Sequence, residues 1–126
     1  VQIGIRTTFE GEDDFGMTIL HADRVHASAP QEIADIVRAV VGDSKTYLTF
    51  DIDCLDPAFA PGTGTPVVGG LSSHQALSIL RQLTGVDFIA ADLVEVSPSY
   101  DVAQTTGLAA ATIATEMLCL LASQRP

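Results

Sequence analysis

FDIDCLDPAFAPGTGTP, residues Phe50–Pro66, joins the end of a predicted strand to a loop rich in proline and glycine. The preceding residues 47–50 (YLTF) are apolar, with aromatic and β-branched side chains and no helical period, which predicts a buried strand of a parallel sheet. Neither a helix nor a strand ladder continues through the prolines and glycines that follow. The chain therefore leaves the sheet beside two aspartates, at the edge where open α/β sheets bind ligands.

The two aspartates, Asp51 and Asp53, are separated by one residue, so on an extended chain both carboxylates point to the same side. Two like charges repel, and their burial without compensation is unfavourable. Either a shared proton or a divalent cation relieves the repulsion, and oxygen ligands suit Mg²⁺ or Mn²⁺ better than zinc. The alternative is that both aspartates only cap the next turn through hydrogen bonds from backbone N–H groups. The stiff loop that follows favours the metal site.

The chain of 126 residues carries 16 acidic and 6 basic residues, a net charge of −10. This excludes a basic nucleic-acid surface and fits a cationic ligand or divalent metals, although solubility alone would account for most of the charge. Cys54 and Cys119 make no disulfide framework, so we expect a cytoplasmic protein. We expect no secretion signal at the N-terminus, and no membrane association, because the apolar segment Leu108–Ala122 is short and contains Glu116.

Strand and helix signals alternate along the rest of the chain, which predicts an α/β fold with three αβα layers, a mostly parallel sheet and right-handed crossovers. The last helix is apolar on most sides, so we expect burial on more than one face. Functional loops then gather at one sheet edge, where Asp51, Asp53 and Glu95 are predicted to lie together. The predicted strands are residues 1–6, 46–50 and 86–94, and the predicted helices are Pro30–Gly42, Ser72 or Ser73 to Gly85, and Thr105 or Thr106 to about Ser123.

Several other polar side chains lie near these strand ends. Glu95 stands between two valines, so burial of its carboxylate would require a cation or hydrogen-bond donors. Arg6 ends the first strand, and a structural salt bridge is favoured over contact with a ligand. Asp56 precedes a proline and is predicted to be a turn residue.

Four further residues with chemically reactive side chains are not expected in catalytic roles. Cys54 has no partner base in the sequence nearby, which argues against a nucleophile. His21 and His26 are not favoured as metal ligands, and His74 is expected to face solvent from the first turn of a helix.

The polar segment Thr7–Phe15 is predicted to be a loop.

The order of residues around the aspartate pair resembles the C-terminal signature of the ureohydrolases, manganese enzymes that include arginases and agmatinases. A second block, DLVEVSP at residues 92–98, is similar to the family segment that carries a substrate-binding glutamate. Within the family, Cys54, the PGTG sequence and Tyr100-Asp101 resemble agmatinases more than arginases. The first block consists of Thr49-Phe50-Asp51-Ile52-Asp53, Pro57, Pro61-Gly62 and Gly70.

The resemblance implies an arginase-like fold, of which residues 1–126 would be the C-terminal part of a single domain. It also implies manganese-dependent hydrolysis of a guanidino compound, with agmatine, cleaved to putrescine and urea, as the first expectation. Asp51 would bridge a pair of Mn²⁺ ions and Asp53 would bind one of them, so both are the expected catalytic residues. Glu95 would accept hydrogen bonds from the guanidinium, and Thr65 would orient that glutamate. Family members are usually homo-oligomers, trimers or hexamers.

The family's Gly-Gly-Asp-His and Asp-Ala-His-x-Asp blocks, which supply the other metal ligands, have no counterpart in this chain. Three alternatives therefore stay open: a guanidinobutyrase, another ureohydrolase, or a catalytically inert fragment that only binds. Phosphotransferases of the haloacid-dehalogenase type also use Asp-x-Asp after a strand, but they require a later lysine. Lys45, the only lysine, precedes the aspartate pair, which argues against that class.

Overall fold

The computed structural model describes residues 1–7 and 14–123, which alternate between strands and helices as predicted. The predicted loop Thr7–Phe15 lies largely outside the described residues. Strand β2 and helix α1 are additional to the prediction. The elements are β1 (Gln2–Ile5), β2 (Ile19–His21), α1 (Ala22–Ala27), α2 (Pro30–Val41), β3 (Thr46–Asp51), α3 (Ser73–Gln82), β4 (Phe88–Val94) and α4 (Thr105–Ala122), with 3-10 turns at Ile52–Cys54, Pro98–Tyr100 and Val102–Gln104.

The four strands form two parallel pairs, β1 with β2 and β3 with β4. Within the described part of the chain these pairs are separate sheets, whereas a single sheet was predicted. A cavity of about 610 Å³ lies between β1 and β3. Apolar side chains from both strands and from α3 line it, among them Ile3, Ile5, Leu48, Phe50, Leu80 and Leu83.

Helices α2 and α3 begin where the sequence indicates. Pro30 occupies the first turn of α2, and Gly42 ends that helix with a φ of +53°, a conformation that favours glycine. Ser72 caps α3 in a capping box, since its hydroxyl accepts from the Gln75 N–H at 3.1 Å while the Gln75 side chain accepts from the Ser72 N–H at 3.0 Å. Helix α3 ends at Gln82 rather than at Gly85.

Helix α4 is buried along one stripe, not on several faces as predicted. Leu108 and Leu118 remain 72% and 65% exposed on the opposite face. By length and hydropathy the segment Val102–Ala122 could cross a membrane, in contrast to the shorter segment considered from the sequence. Here it packs on α3 and β4 and pairs Glu116 with Arg81 of α3. The buried stripe consists of Thr106, Ala110, Ile113, Met117 and Leu120.

Strand β3 presents alternate side chains to opposite faces. Phe50 is buried in the core, whereas Tyr47 and Thr49 are exposed. The Tyr47 hydroxyl donates to Asp92 Oδ2 on β4 at 2.7 Å, which joins the two strands on the exposed face. The register sets Asp51 opposite Val94, so the carboxyl ends of β3 and β4 lie side by side.

Candidate active site

The aspartate pair begins a turn rather than extending the strand. Strand β3 ends at Asp51, and Ile52–Cys54 forms a 3-10 turn, so the predicted extended geometry of the pair is wrong. Asp51 Oδ1 accepts a hydrogen bond from the Asp53 N–H at 3.0 Å. The turn-capping alternative is therefore realised for Asp51, which uses Oδ1, whereas Asp53 Oδ2 accepts from a side-chain hydroxyl, that of Thr65.

Three carboxylates converge at this edge, as the sequence predicts. Burial raises the pKa of Asp51, a hydrogen bond from the Asp53 N–H opposes this, and repulsion from Asp53 and then Glu95 raises the pKa further. Clustered oxygen donors with unbalanced negative charge suit a hard divalent cation such as Mn²⁺. The described residues nevertheless contain no group of three His, Cys, Asp or Glu side chains able to hold a metal. The residues present thus fit part of such a site.

Glu95 follows the end of β4 and is exposed within the described chain. Its backbone has a φ of +66°, in the left-handed region that L-residues rarely adopt. The Thr63 hydroxyl donates to the Glu95 carbonyl at 2.9 Å, and Thr63 forms an antiparallel bridge with Val96. The loop after the aspartates is therefore bonded to the chain around Glu95.

Thr65 contacts a different carboxylate from the one expected. Its hydroxyl donates to Asp53 Oδ2 at 2.8 Å, whereas the expectation was an orienting contact with Glu95. The role of Thr65 in substrate binding stays a prediction. Thr63 and Thr65, two residues apart in the same loop, thus bind the Glu95 carbonyl and the Asp53 carboxylate respectively.

Arg6 binds backbone carbonyls in place of the predicted acidic partner. Its Nε and Nη2 donate to the Val67 carbonyl at 2.9 and 2.7 Å, and Nη2 donates to the Asp53 carbonyl at 2.6 Å. A longer contact of 3.3 Å reaches the Leu55 carbonyl. One guanidinium therefore joins both ends of the segment between Asp53 and Val67, with a fork of donors that suits several acceptors at once.

Asp56 is a turn residue, as predicted. Its Oδ1 accepts from the Ala58 N–H at 3.0 Å, and its Oδ2 accepts from the N–H groups of Gly69 and Gly70 at 2.8 and 3.3 Å. These hydrogen bonds lower the pKa of the carboxyl. Gly70 has no room for a side chain, because a Cβ would lie 2.5 Å from the Asp56 nitrogen. The start and end of the loop are therefore packed directly together.

Cys54 is largely shielded from solvent, whereas His21, His26 and His74 are exposed. Burial raises the pKa of the Cys54 thiol to about 12, and the charges of Asp51 and Asp53 add to the effect, so the thiol stays protonated near neutral pH. The His26 ring contacts the Gly69 carbonyl at 3.2 Å and the Gln75 amide at 3.2 Å.

Comparison with known proteins places this arrangement in one family. The model of the arginase family matches residues 1–119. The chain belongs to the arginase family. This confirms the resemblance inferred from the motifs around Asp51 and Glu95.

Among curated members of the arginase family, the agmatinases of Cronobacter sakazakii and Escherichia coli O1:K1 are each 52% identical over 125 residues, 99% of this chain. The match covers 40% of each relative, so the chain spans about two-fifths of their length.

Solved structures of arginase-family proteins superpose well on this chain and confirm the αβα fold class. A hypothetical agmatinase from Burkholderia thailandensis is 54% identical with a TM-score of 0.90, covering 94% of this chain and 37% of its own. The proclavaminate amidino hydrolase of Streptomyces clavuligerus is 38% identical with a TM-score of 0.91, covering 98% and 43%. The arginase of Bacillus subtilis is 30% identical with a TM-score of 0.84, covering 92% and 44%.

Two contacts of this arginase-family site were missed by sequence reasoning. The hydroxyl of Thr63 and the guanidinium of Arg6 hold carbonyls of Glu95 and Asp53. A weak signal existed for Thr63, because a small polar residue between two glycines of a fixed loop often bonds backbone atoms. For Arg6 the sequence favoured a structural role over contact with a ligand, but it did not indicate that the partners are backbone carbonyls.

Proposed function

We propose that this chain supplies part of the active site of a manganese-dependent ureohydrolase, which converts agmatine and water into putrescine and urea. The supporting observation is the convergence of Asp51, Asp53 and Glu95 at the carboxyl ends of the paired strands β3 and β4. Identity of 52% with proteins named agmatinase supports agmatine as the substrate.

Each carboxylate has a distinct task in the proposed reaction. Asp51 and Asp53 would hold manganese, which supplies water activated for attack near neutral pH. Glu95 would accept charge-assisted hydrogen bonds from the guanidinium N–H groups and fix its carbon for attack. Thr65 would support Asp53 through the hydroxyl that donates to its Oδ2. Water adds to the guanidinium carbon, and the bond to the alkyl nitrogen breaks to release the amine.

The charge of the chain suits a cationic substrate. Its net charge is −10, and three carboxylates gather at the strand ends. Such a cluster attracts cations and favours guanidinium over anionic or neutral compounds of the same size. Agmatine, which has a positive charge at each end, benefits from this field more than arginine, whose carboxylate would be repelled.

A substrate panel tests the proposal. The full-length polypeptide, purified and loaded with Mn²⁺, is assayed for urea with agmatine, arginine and guanidinobutyrate, and the amine product is identified by mass. We expect urea and putrescine from agmatine, with kcat/KM at least about tenfold above that of the other compounds, the ratio that about 1.4 kcal/mol provides. Urea from none of them, or urea that is independent of manganese, would refute the proposal.

A second candidate is hydrolysis of a different guanidino compound. The similarity to proclavaminate amidino hydrolase, with a TM-score of 0.91, favours it, because that protein's name indicates another amidino substrate. Guanidinobutyrate is a further possibility within the same chemistry. Glu95 would contact only the guanidino end, which all of these compounds share, so the same panel, extended by larger amidino compounds, is needed to distinguish them.

Assembly and location are proposed on similar grounds. We propose a homo-oligomer, trimer or hexamer, because α4 exposes Leu108 and Leu118 on the face opposite its buried stripe. Light scattering of the full-length protein would show a monomer if this is wrong.

We also propose that the protein is located in the cytoplasm, since both cysteines are free, and cell fractionation tests this location.

A further inference from the structure

Glu95 has a backbone conformation that is unfavourable for a glutamate. Its φ of +66° lies in the left-handed region, where a residue with a Cβ is disfavoured and persists only if neighbouring contacts hold it. The residue directly follows β4, so this conformation turns the chain away from the strand and sets the direction of the side chain. Whatever holds the backbone of Glu95 therefore also sets the direction in which its side chain leaves the main chain.

Thr63 makes the contact that holds this backbone. Its hydroxyl donates to the Glu95 carbonyl at 2.9 Å, and the residue is only 4% exposed. The next residue, Val96, forms an antiparallel bridge with Thr63, and the Ser97 N–H donates to the Gly62 carbonyl at 2.8 Å. The hydroxyl that makes this partly buried bond is shielded from water, so the bond holds the Glu95 carbonyl in place.

The backbone on which Thr63 stands is itself anchored to the start of α4. The Gly62 N–H donates to the hydroxyl of Thr106, which is fully buried, at 2.7 Å. Asp101 accepts from the N–H groups of Thr106 and Gly107, each at 2.8 Å. A Cβ on Gly62 would lie 2.5 Å from the Asp101 Cβ, so the loop and the α4 terminus are in direct contact. The backbone at Thr63 is therefore held in place by its contacts with the start of α4.

The Glu95 carboxylate lies above the same loop. Its Oε2 is 3.7 Å from where a Cβ of Gly64 would be, between the two threonines of the loop. Thr65 on the other side donates to Asp53 Oδ2. The loop thus contacts the backbone carbonyl of Glu95 through the Thr63 hydroxyl and the Asp53 carboxylate through the Thr65 hydroxyl, so the two contacts can be removed one at a time.

We infer that Thr63 is a positioning residue for substrate: through the Glu95 carbonyl it sets the orientation in which the Glu95 carboxylate receives the guanidinium. This rests on the proposed function. Thr63 touches neither metal ligand through its hydroxyl, and its loss should affect substrate binding while manganese stays bound.

The test compares Thr63→Val with Thr63→Ser in the full-length, manganese-loaded protein. Valine keeps the shape and removes the hydroxyl, whereas serine keeps the hydroxyl. For Thr63→Val we expect KM for the preferred guanidino substrate to rise about tenfold, the effect of losing one hydrogen bond that orients Glu95, with kcat changed less than about threefold and manganese content unchanged. Thr63→Ser should stay within about twofold of wild type in KM.

A core variant separates positioning from general loss of stability. Ile113→Val shortens a side chain that is 1% exposed in α4 and should lower the denaturation midpoint without altering KM. An unchanged KM in Thr63→Val, an equal rise in KM in Ile113→Val or Thr63→Ser, or loss of manganese from Thr63→Val would each overturn the inference. Absence of urea release by wild type on every guanidino compound would instead refute the proposed function.

Discussion

At the scale of single residues, Asp53 offers the sharpest change in metal binding. We expect Asp53→Ala in the full-length protein to abolish tight Mn²⁺ binding at one site, because one oxygen ligand is lost from a cluster that includes Asp51. Urea release should fall by more than the roughly 100-fold loss typical of residues that only support a ligand. Metal content by atomic absorption and a urea assay measure both effects.

Asp43→Ala is the matched control for that change. Asp43 is exposed in the turn after α2 and carries the same charge, so its loss should leave manganese content and urea release unchanged. Urea production that survives Asp53→Ala at the wild-type rate would refute the assignment of Asp53.

Glu95→Gln separates substrate binding from metal binding. The substitution keeps size and removes charge, so we expect KM to rise by about tenfold to 100-fold, the loss of a hydrogen bond to a charged group, with manganese content intact. Glu32→Gln removes an exposed carboxylate that pairs with Arg24 and serves as control. Loss of manganese in Glu95→Gln would show that Glu95 has a structural or metal-binding role instead.

The site carboxylates could be predicted from sequence, but their supporting contacts could not. Strand ends of a parallel sheet share an edge, so the grouping of Asp51, Asp53 and Glu95 follows from the order of elements. The hydrogen bonds from Thr63 to Glu95 and from Arg6 to Val67 join residues 32 and 61 positions apart. No local period or motif encodes such pairs, and Arg6 was accordingly assigned a salt bridge.

At the scale of elements, the segment from Asp53 to Val67 depends on Arg6. We expect Arg6→Met to lower the free energy of unfolding by about 2 kcal/mol or more, because carbonyls bound by a charged donor lose it while the apolar stem remains. Manganese affinity should fall as well, since the Asp53 backbone is released. Chemical denaturation of the full-length protein and metal titration measure the two effects.

Arg24→Met provides the comparison for Arg6. Arg24 forms an exposed ion pair with Glu32, with 56% and 47% of the two side chains accessible, so its loss should cost less than about 1 kcal/mol. Equal effects of Arg6→Met and Arg24→Met would show that the carbonyl contacts of Arg6 contribute little.

Long elements were predicted well and short ones were not. Helices α2 and α4 have proline, glycine or threonine boundaries and enough turns to show a period, and their bounds match closely. Strand β2 and helix α1 contain 3 and 6 residues, too few for a period to appear. The turn at Ile52–Cys54 was missed because alternation of Asp51 and Asp53 fits an extended strand equally well.

At the scale of the whole molecule, the described residues account for only part of the proposed metal site. The described residues hold no cluster of three potential metal ligands, and the apolar cavity between β1 and β3 remains open. The described strands form two pairs instead of the single predicted sheet, because sequence periodicity shows which segments are strands but not which edges meet.

We therefore expect the isolated 126-residue chain to bind Mn²⁺ weakly and to release no urea from agmatine. The full-length polypeptide should bind Mn²⁺ tightly and release urea. Isothermal titration and a urea assay on the two proteins, prepared in parallel, measure the difference. Circular dichroism establishes that the shorter protein contains helix before it is compared. Urea release by the isolated chain would show that its own residues suffice.

The most direct test of the metal assignment is anomalous diffraction at the manganese absorption edge, from crystals of the full-length protein grown with Mn²⁺. We predict a manganese peak within coordination distance, about 2 Å, of carboxylate oxygens of both Asp51 and Asp53. Manganese located only elsewhere, with both carboxylates bonded solely to protein groups or water, would contradict the account.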